Sequence, residues 1–82
     1  MFTVYILYSE ITKKFYSGHT HDLQTRIQEH NSGQTQSIRS GIPWELVWQC
    51  DLQTRSEAMR LEQQIKKRGA KRFLDAQRPA GG

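Results

Sequence analysis

Residues 15–33 read Phe15-Tyr16-Ser17-Gly18-His19-Thr20-His21-Asp22-Leu23-Gln24-Thr25-Arg26-Ile27-Gln28-Glu29-His30-Asn31-Ser32-Gly33. A strand-like run, a glycine pivot and an amphipathic helix follow one another there, and that succession decides the fold. Leu23, Arg26, Ile27 and His30 stand at i, i+3, i+4 and i+7, the spacing of a stripe that faces a core. The helix is expected from about Leu23 to Asn31. Thr20 or Asp22 can cap it, and Asn31 and Gly33 are residue types that tolerate a left-handed end. Gly18, lacking a Cβ, lets the chain turn out of the strand and permits close approach of a backbone or a phosphate.

Upstream, Phe2 to Tyr8 is β-branched or aromatic apart from Leu7. With Phe15 to Ser17 beyond the polar turn Glu10 to Lys14, it predicts a hairpin. Alternation puts Val4, Ile6 and Tyr8 on one side and Thr3, Tyr5 and Leu7 on the other, so both faces require cover. Downstream, Gln34 to Pro43 is polar, contains Gly41 and Pro43, and reads as an exposed loop. Trp44 to Leu52 is apolar enough for a central or well-covered strand. Thr54-Arg55-Ser56-Glu57 matches a capping box, so a second helix is expected from near Arg55 to Arg68, ending at Gly69. Further helical turns are expected over Ala70 to Ala76.

Twelve Lys and Arg against eight Asp and Glu, with three His, give a formal charge of +4 and a pI near 9.6, as expected if the partner carries phosphates. The 82 residues read as one domain over 1–76 with a frayed tail at 77–82, and a domain of this size buries only a small core. Cys50 is the one cysteine, which forbids an internal disulfide and leaves no thiolate set for zinc, so a reducing, cytoplasmic setting is expected. The apolar run Val4 to Tyr8 is too short to span a bilayer and lacks the features of a secretory signal, so neither membrane nor export is indicated.

Each helix carries a charge in its apolar stripe: Arg26 in the first, and Glu62 beside Ala58, Leu61 and Ile65 in the second. An isolated ion facing a core is too costly to keep. Three arrangements meet that cost. The two charges pair as a structural salt bridge, the side chains bend to solvent, or they line a cleft with His30, Tyr5 and Tyr16. A cleft of that kind suits phosphodiester hydrolysis, with a carboxylate for a divalent cation, an arginine for phosphate charge and a phenol or imidazole for a proton.

The ordered set Tyr5 in Thr3-Val4-Tyr5, Tyr16-Ser17-Gly18, Thr20, Asp22-Leu23, Arg26, His30-Asn31 and Gly33 resembles the signature of the GIY-YIG endonuclease superfamily. The likeness continues through Pro43-Trp44-Glu45-Leu46-Val47 and through Glu57-Ala58, Glu62 and Ile65-Lys66, and so spans Phe2 to about Leu74. It is most similar to the short stand-alone bacterial branch of YhbQ-like, UPF0213-type proteins. The resemblance implies an α/β fold of α+β type, a small three-stranded antiparallel sheet flanked by helices. It further implies that Tyr5 and Tyr16 are the motif tyrosines, Arg26 the catalytic arginine, His30 the helix histidine and Glu62 the ligand of one divalent metal ion, Mg²⁺ or Mn²⁺, per active site. The chain departs from the family at Thr3-Val4 in place of Gly-Ile, and in having no asparagine after Asn31.

The mechanism that the resemblance suggests has Arg26 neutralising transition-state charge and Tyr5 activating the water. A free phenol titrates at about 10 and an imidazole near neutrality, so His30 competes with Tyr5 for that role. Lys66, Lys67, Arg68, Lys71 and Arg72 form a run with no acid between them, either a surface that tracks phosphates or a solvated helix face. Trp44 and Trp48 are expected in the core. His19 and His21, with no third ligand at a metal-like spacing, are expected as exposed residues flanking the turn. The function expected is a metal-dependent DNA endonuclease or nickase, selecting structure rather than sequence at branched, nicked or single-stranded regions, with RNA as a second substrate class. The rivals are a non-catalytic nucleic-acid-binding module using the same cleft and a small interaction domain.

Overall fold

Phe2–Ser9 (β1) is the middle strand of a three-stranded antiparallel sheet, between Lys14–Thr20 (β2) and Trp44–Leu52 (β3), in the computed structural model, which describes residues 1–77. Of the frayed tail expected at 77–82, residues 78–82 lie outside the described residues. β1 earns its central place by composition: apolar on both faces, it buries Val4, Tyr5, Ile6 and Leu7. Hairpin pairing sets Tyr5 opposite Gly18 and Val4 opposite His19. β2 is longer than the predicted Phe15 to Ser17, because β1 offers backbone partners out to Thr3, opposite Thr20.

Helices cover the two faces separately. Arg55–Arg68 (α2) and Ala70–Ala76 (α3) lie over the Val4 face, where Val4, Ile6, Ala58 and Ile65 form a core edged by Phe15, Trp48 and Phe73. Leu23–Asn31 (α1) and a kinked 3₁₀ segment, Gln36–Gly41, belong to the other face, where Tyr5, Leu7 and Trp44 pack with Leu23, Ile27 and Ile38. Local signals explain the helix boundaries. Asp22 caps α1 by accepting from the Thr25 amide and hydroxyl, Gly33 follows it at φ +87°, and the Thr54–Glu57 capping box opens α2.

Three expectations are corrected. β3 is an edge strand, not a central or well-covered one, and Glu45, Leu46, Val47 and Gln49 are exposed along it, because β1 pairs on both sides and leaves β3 only one partner. Gln34 to Pro43 is not simply an exposed loop: Ile38 is half-buried, Gly41 is buried and the Trp44 indole N–H donates to the Ile38 carbonyl at 2.8 Å. Trp44 is in the core as expected, whereas Trp48 is only half-buried, edge-on to Phe73. Among the described residues no helix is long and apolar enough to cross a membrane.

Candidate active site

The site is built from the empty space at Gly18. A Cβ there would lie 2.7 Å from the Tyr5 hydroxyl oxygen and 2.9 Å from the adjoining ring carbon, so the phenol of Tyr5 lies directly over this position. That is a different reason for glycine than the predicted turn, since Gly18 sits inside β2. Extended over Gly18, the Tyr5 hydroxyl shares a 3.0 Å hydrogen bond with His30 Nε2, and His30 Nδ1 shares one of 2.9 Å with Thr35 Oγ1. Tyr16 closes the group, its ring 5.2 Å from that of His30 and 6.4 Å from that of Tyr5. Both Tyr5 and His30 are 1 % exposed, whereas Tyr16 keeps some surface.

Burial sets the titration of this cluster. It pushes the Tyr5 phenol up to about 12, with the Tyr16 phenol adding to the rise and the Arg26 guanidinium opposing it. His30 is lowered by burial first and by the Arg26 charge second, which favours the neutral imidazole.

Arg26 stands on the stripe of α1, yet its side chain is 47 % exposed and its guanidinium reaches Glu29 at 3.3 Å. Its charge favours ionisation of the Tyr5 phenol, against the effect of burial. The suggested Arg26–Glu62 salt bridge is not formed. Glu62 instead accepts from His19 Nδ1 at 2.5 Å and from Lys66 Nζ at 2.7 Å, with its side chain 16 % exposed. Burial acts to raise the Glu62 carboxyl, but the hydrogen bonds and charges of Lys66 and His19 prevail and hold it below the usual range. His19 is therefore not the exposed turn residue expected; β2 pairing puts it on the α2 face, beneath Glu62. His21 is exposed as expected.

A groove of about 380 Å³ opens beside these residues, with His19, His21, Arg26 and Arg55 in its wall. Tyr5, Tyr16, His30 and Glu62 do not line it. The basic run divides. Lys66 is held by Glu62, Lys67 and Arg68 border a second hollow of about 420 Å³ beside Phe73, and Lys71 and Arg72 are exposed on α3. Three features were missed from sequence: the His19–Glu62 contact, the place of Arg55 in the groove, and Asn31. The Asn31 amide donates to the Trp44 carbonyl at 3.1 Å and accepts from the Trp44 amide at 2.6 Å, clamping α1 to β3. Only the His30-Asn31 pair within the motif hinted at any of them.

Among the described residues no cluster of three His, Cys, Asp or Glu forms a ready metal cage. The Glu62 carboxylate nevertheless fits a hard cation, because two protein donors leave lone pairs on its oxygens and Mg²⁺ keeps several waters when bound by one or two carboxylates.

A family model described as GIY-YIG catalytic domain matches residues 1–74. A solution NMR structure of a UPF0213 protein from Bacillus halodurans is similar to the chain, with 30% sequence identity, a TM-score of 0.59, and coverage of 94% of this chain and 86% of that one. No curated protein matches.

Proposed function

Because the chain belongs to the GIY-YIG catalytic-domain family, a family of nucleases, we propose that it is a metal-dependent endonuclease or nickase acting on DNA. Its substrates are branched, nicked or single-stranded regions, chosen by structure and backbone. The observation that carries this reading is the buried cluster on the α1 face, where the Tyr5 hydroxyl is hydrogen-bonded to His30 Nε2 and both rings pack with that of Tyr16.

Glu62 is the residue to hold a divalent cation, which when bound supplies charge neutralisation at the phosphate. Arg26, half in water, meets the phosphate and stabilises the charge that grows on its oxygens as the bond to the leaving group breaks. Tyr5 and His30, weighed as alternative bases, act together. With its pKa near 12 the phenol is a poor free base at neutral pH. Its oxygen instead takes a proton from the attacking water while its own passes to His30 Nε2, which burial keeps unprotonated beforehand. Since Tyr5 is sealed in the free protein, seating of the substrate has to uncover its hydroxyl. The family likeness and the one cysteine, Cys50, support a reducing, cytoplasmic setting.

The test is incubation with duplex, flap, splayed-arm and single-stranded DNA, in Mg²⁺, Mn²⁺ or chelator, beside Arg26→Ala and Glu62→Ala. Metal-dependent nicking lost in both variants is the expected result. Binding without any product reduces the protein to a nucleic-acid-binding module, and neither binding nor product removes nucleic acid from its function.

A further inference from the structure

We propose that the groove between β2, α1 and the start of α2 is a nucleobase pocket, which receives one unpaired base next to the cleaved phosphate. The inference rests on the nuclease reading and gives it a substrate class, single-stranded or splayed DNA. Its volume of about 380 Å³ falls in the range of small-molecule sites and suits one nucleoside.

The groove's chemistry suits a base better than a phosphate. Its wall holds two arginines, Arg26 and Arg55, and two carboxylates, Asp22 and Glu29, whose charges balance. Asp22 is engaged as the cap of α1 and Glu29 holds Arg26. Arg55 is different: among the described residues no carboxylate pairs with it, and its guanidinium carbon lies 5.3 Å from the centre of the Phe2 ring. A guanidinium held over an aromatic ring presents a flat, weakly hydrated face on which an unpaired base stacks. His19 and Arg26 line the same groove, and the bond from His19 to Glu62 ties that plate to the proposed phosphate site. A base buried in a duplex cannot reach such a plate without being unpaired.

The experiment measures binding in chelator, so that no cleavage is needed, using fluorescence anisotropy of a labelled single-stranded oligonucleotide and of the blunt duplex of the same sequence. A 2-aminopurine in the single strand reports stacking through quenching of its emission. Arg55 is exposed and its removal leaves the α2 cap in place, and circular dichroism checks that each variant is folded. Arg55→Ala should weaken single-strand binding roughly tenfold, the order of one base stack, spare the duplex and abolish the quenching. Arg55→Lys, which keeps the charge and loses the plane, should behave like Arg55→Ala. Unchanged single-strand affinity, an equal loss on duplex, or full rescue by lysine would overturn the pocket. The two proposals fail separately. Stacking lost on Arg55→Ala in a protein that never cleaves leaves the pocket and removes the nuclease, while metal-dependent cleavage with intact quenching in Arg55→Ala does the reverse.

Discussion

Gly18→Ala tests whether the site geometry depends on an absent side chain. The new methyl would stand 2.7 Å from the Tyr5 oxygen and 2.9 Å from its ring carbon, separations that real Cβ atoms do not show. Relief by a swing of the phenol is blocked, because Tyr5 is 1 % exposed, packed with Leu7 and Trp44, and hydrogen-bonded to His30. Overpacking of a tight interior costs about 1–3 kcal/mol, and displacing the phenol forfeits a buried hydrogen bond of about 1 kcal/mol. Together these give about 2–4 kcal/mol, and at about 4–8 °C per kcal/mol for a domain of this size the melting temperature should drop by roughly 8–32 °C. Thermal unfolding followed by circular dichroism measures it. Tyr5→Phe removes the closer of the two clashing atoms, so the double variant Gly18→Ala/Tyr5→Phe should lose distinctly less stability than the two single losses added. A Gly18→Ala melting temperature within about 3 °C of wild type, or additive losses in the cycle, would refute the packing of the phenol on Gly18.

Other outcomes follow from the same geometry. Glu62→Ala should abolish metal-dependent cleavage yet lower stability by no more than about 1 kcal/mol, since one of its two partners is an exposed i,i+4 lysine; a large drop in melting temperature would assign Glu62 to structure. Asn31→Ala should cost about 2–4 kcal/mol by breaking both bonds to Trp44 and stranding its amide, measured by urea unfolding; a neutral result would remove the clamp between α1 and β3. His30 is lowered from its ordinary 6.5, so the unfolded chain binds the proton first as pH falls. Its contribution to stability should be complete above about pH 6.5 and be lost as pH drops from there through the folded value. His30→Gln should flatten that part of the stability–pH curve, and an unchanged slope between pH 6.5 and 5 would show that another group causes it.

What could be read from the chain, and what could not, divides by the range of the forces involved. The α1 boundaries, the capping box of α2 and the stop at Gly69 are decided within a turn or two of backbone, and residue order shows them. The two-faced burial of β1 follows from its own alternation. The edge position of β3 does not, because a strand's neighbours are chosen by pairing across the whole chain, and an apolar strand half-covered by helices has the same composition as a central one. Charge in a stripe was ambiguous for a related reason: the spacing fixes where a Cβ points, whereas the long arginine stem carries its guanidinium from a core-facing position out to water. The contact between His19 and Glu62 joins residues 43 apart in sequence, and no periodicity announces it.

Gly18 is where the two kinds of information meet. Its neighbours in sequence explain a glycine by a turn, whereas its cross-strand partner Tyr5 requires one in an extended strand, and only the second requirement brings a phenol to a helix histidine. The same strand then continues to His19, whose side chain faces the opposite helix layer and meets Glu62. Two adjacent residues of β2 therefore connect α1 on one face of the sheet with α2 on the other. In so small a sheet this is a short route between the two helix layers, and a shift of β2 by one residue would break it by exchanging the faces of Gly18 and His19.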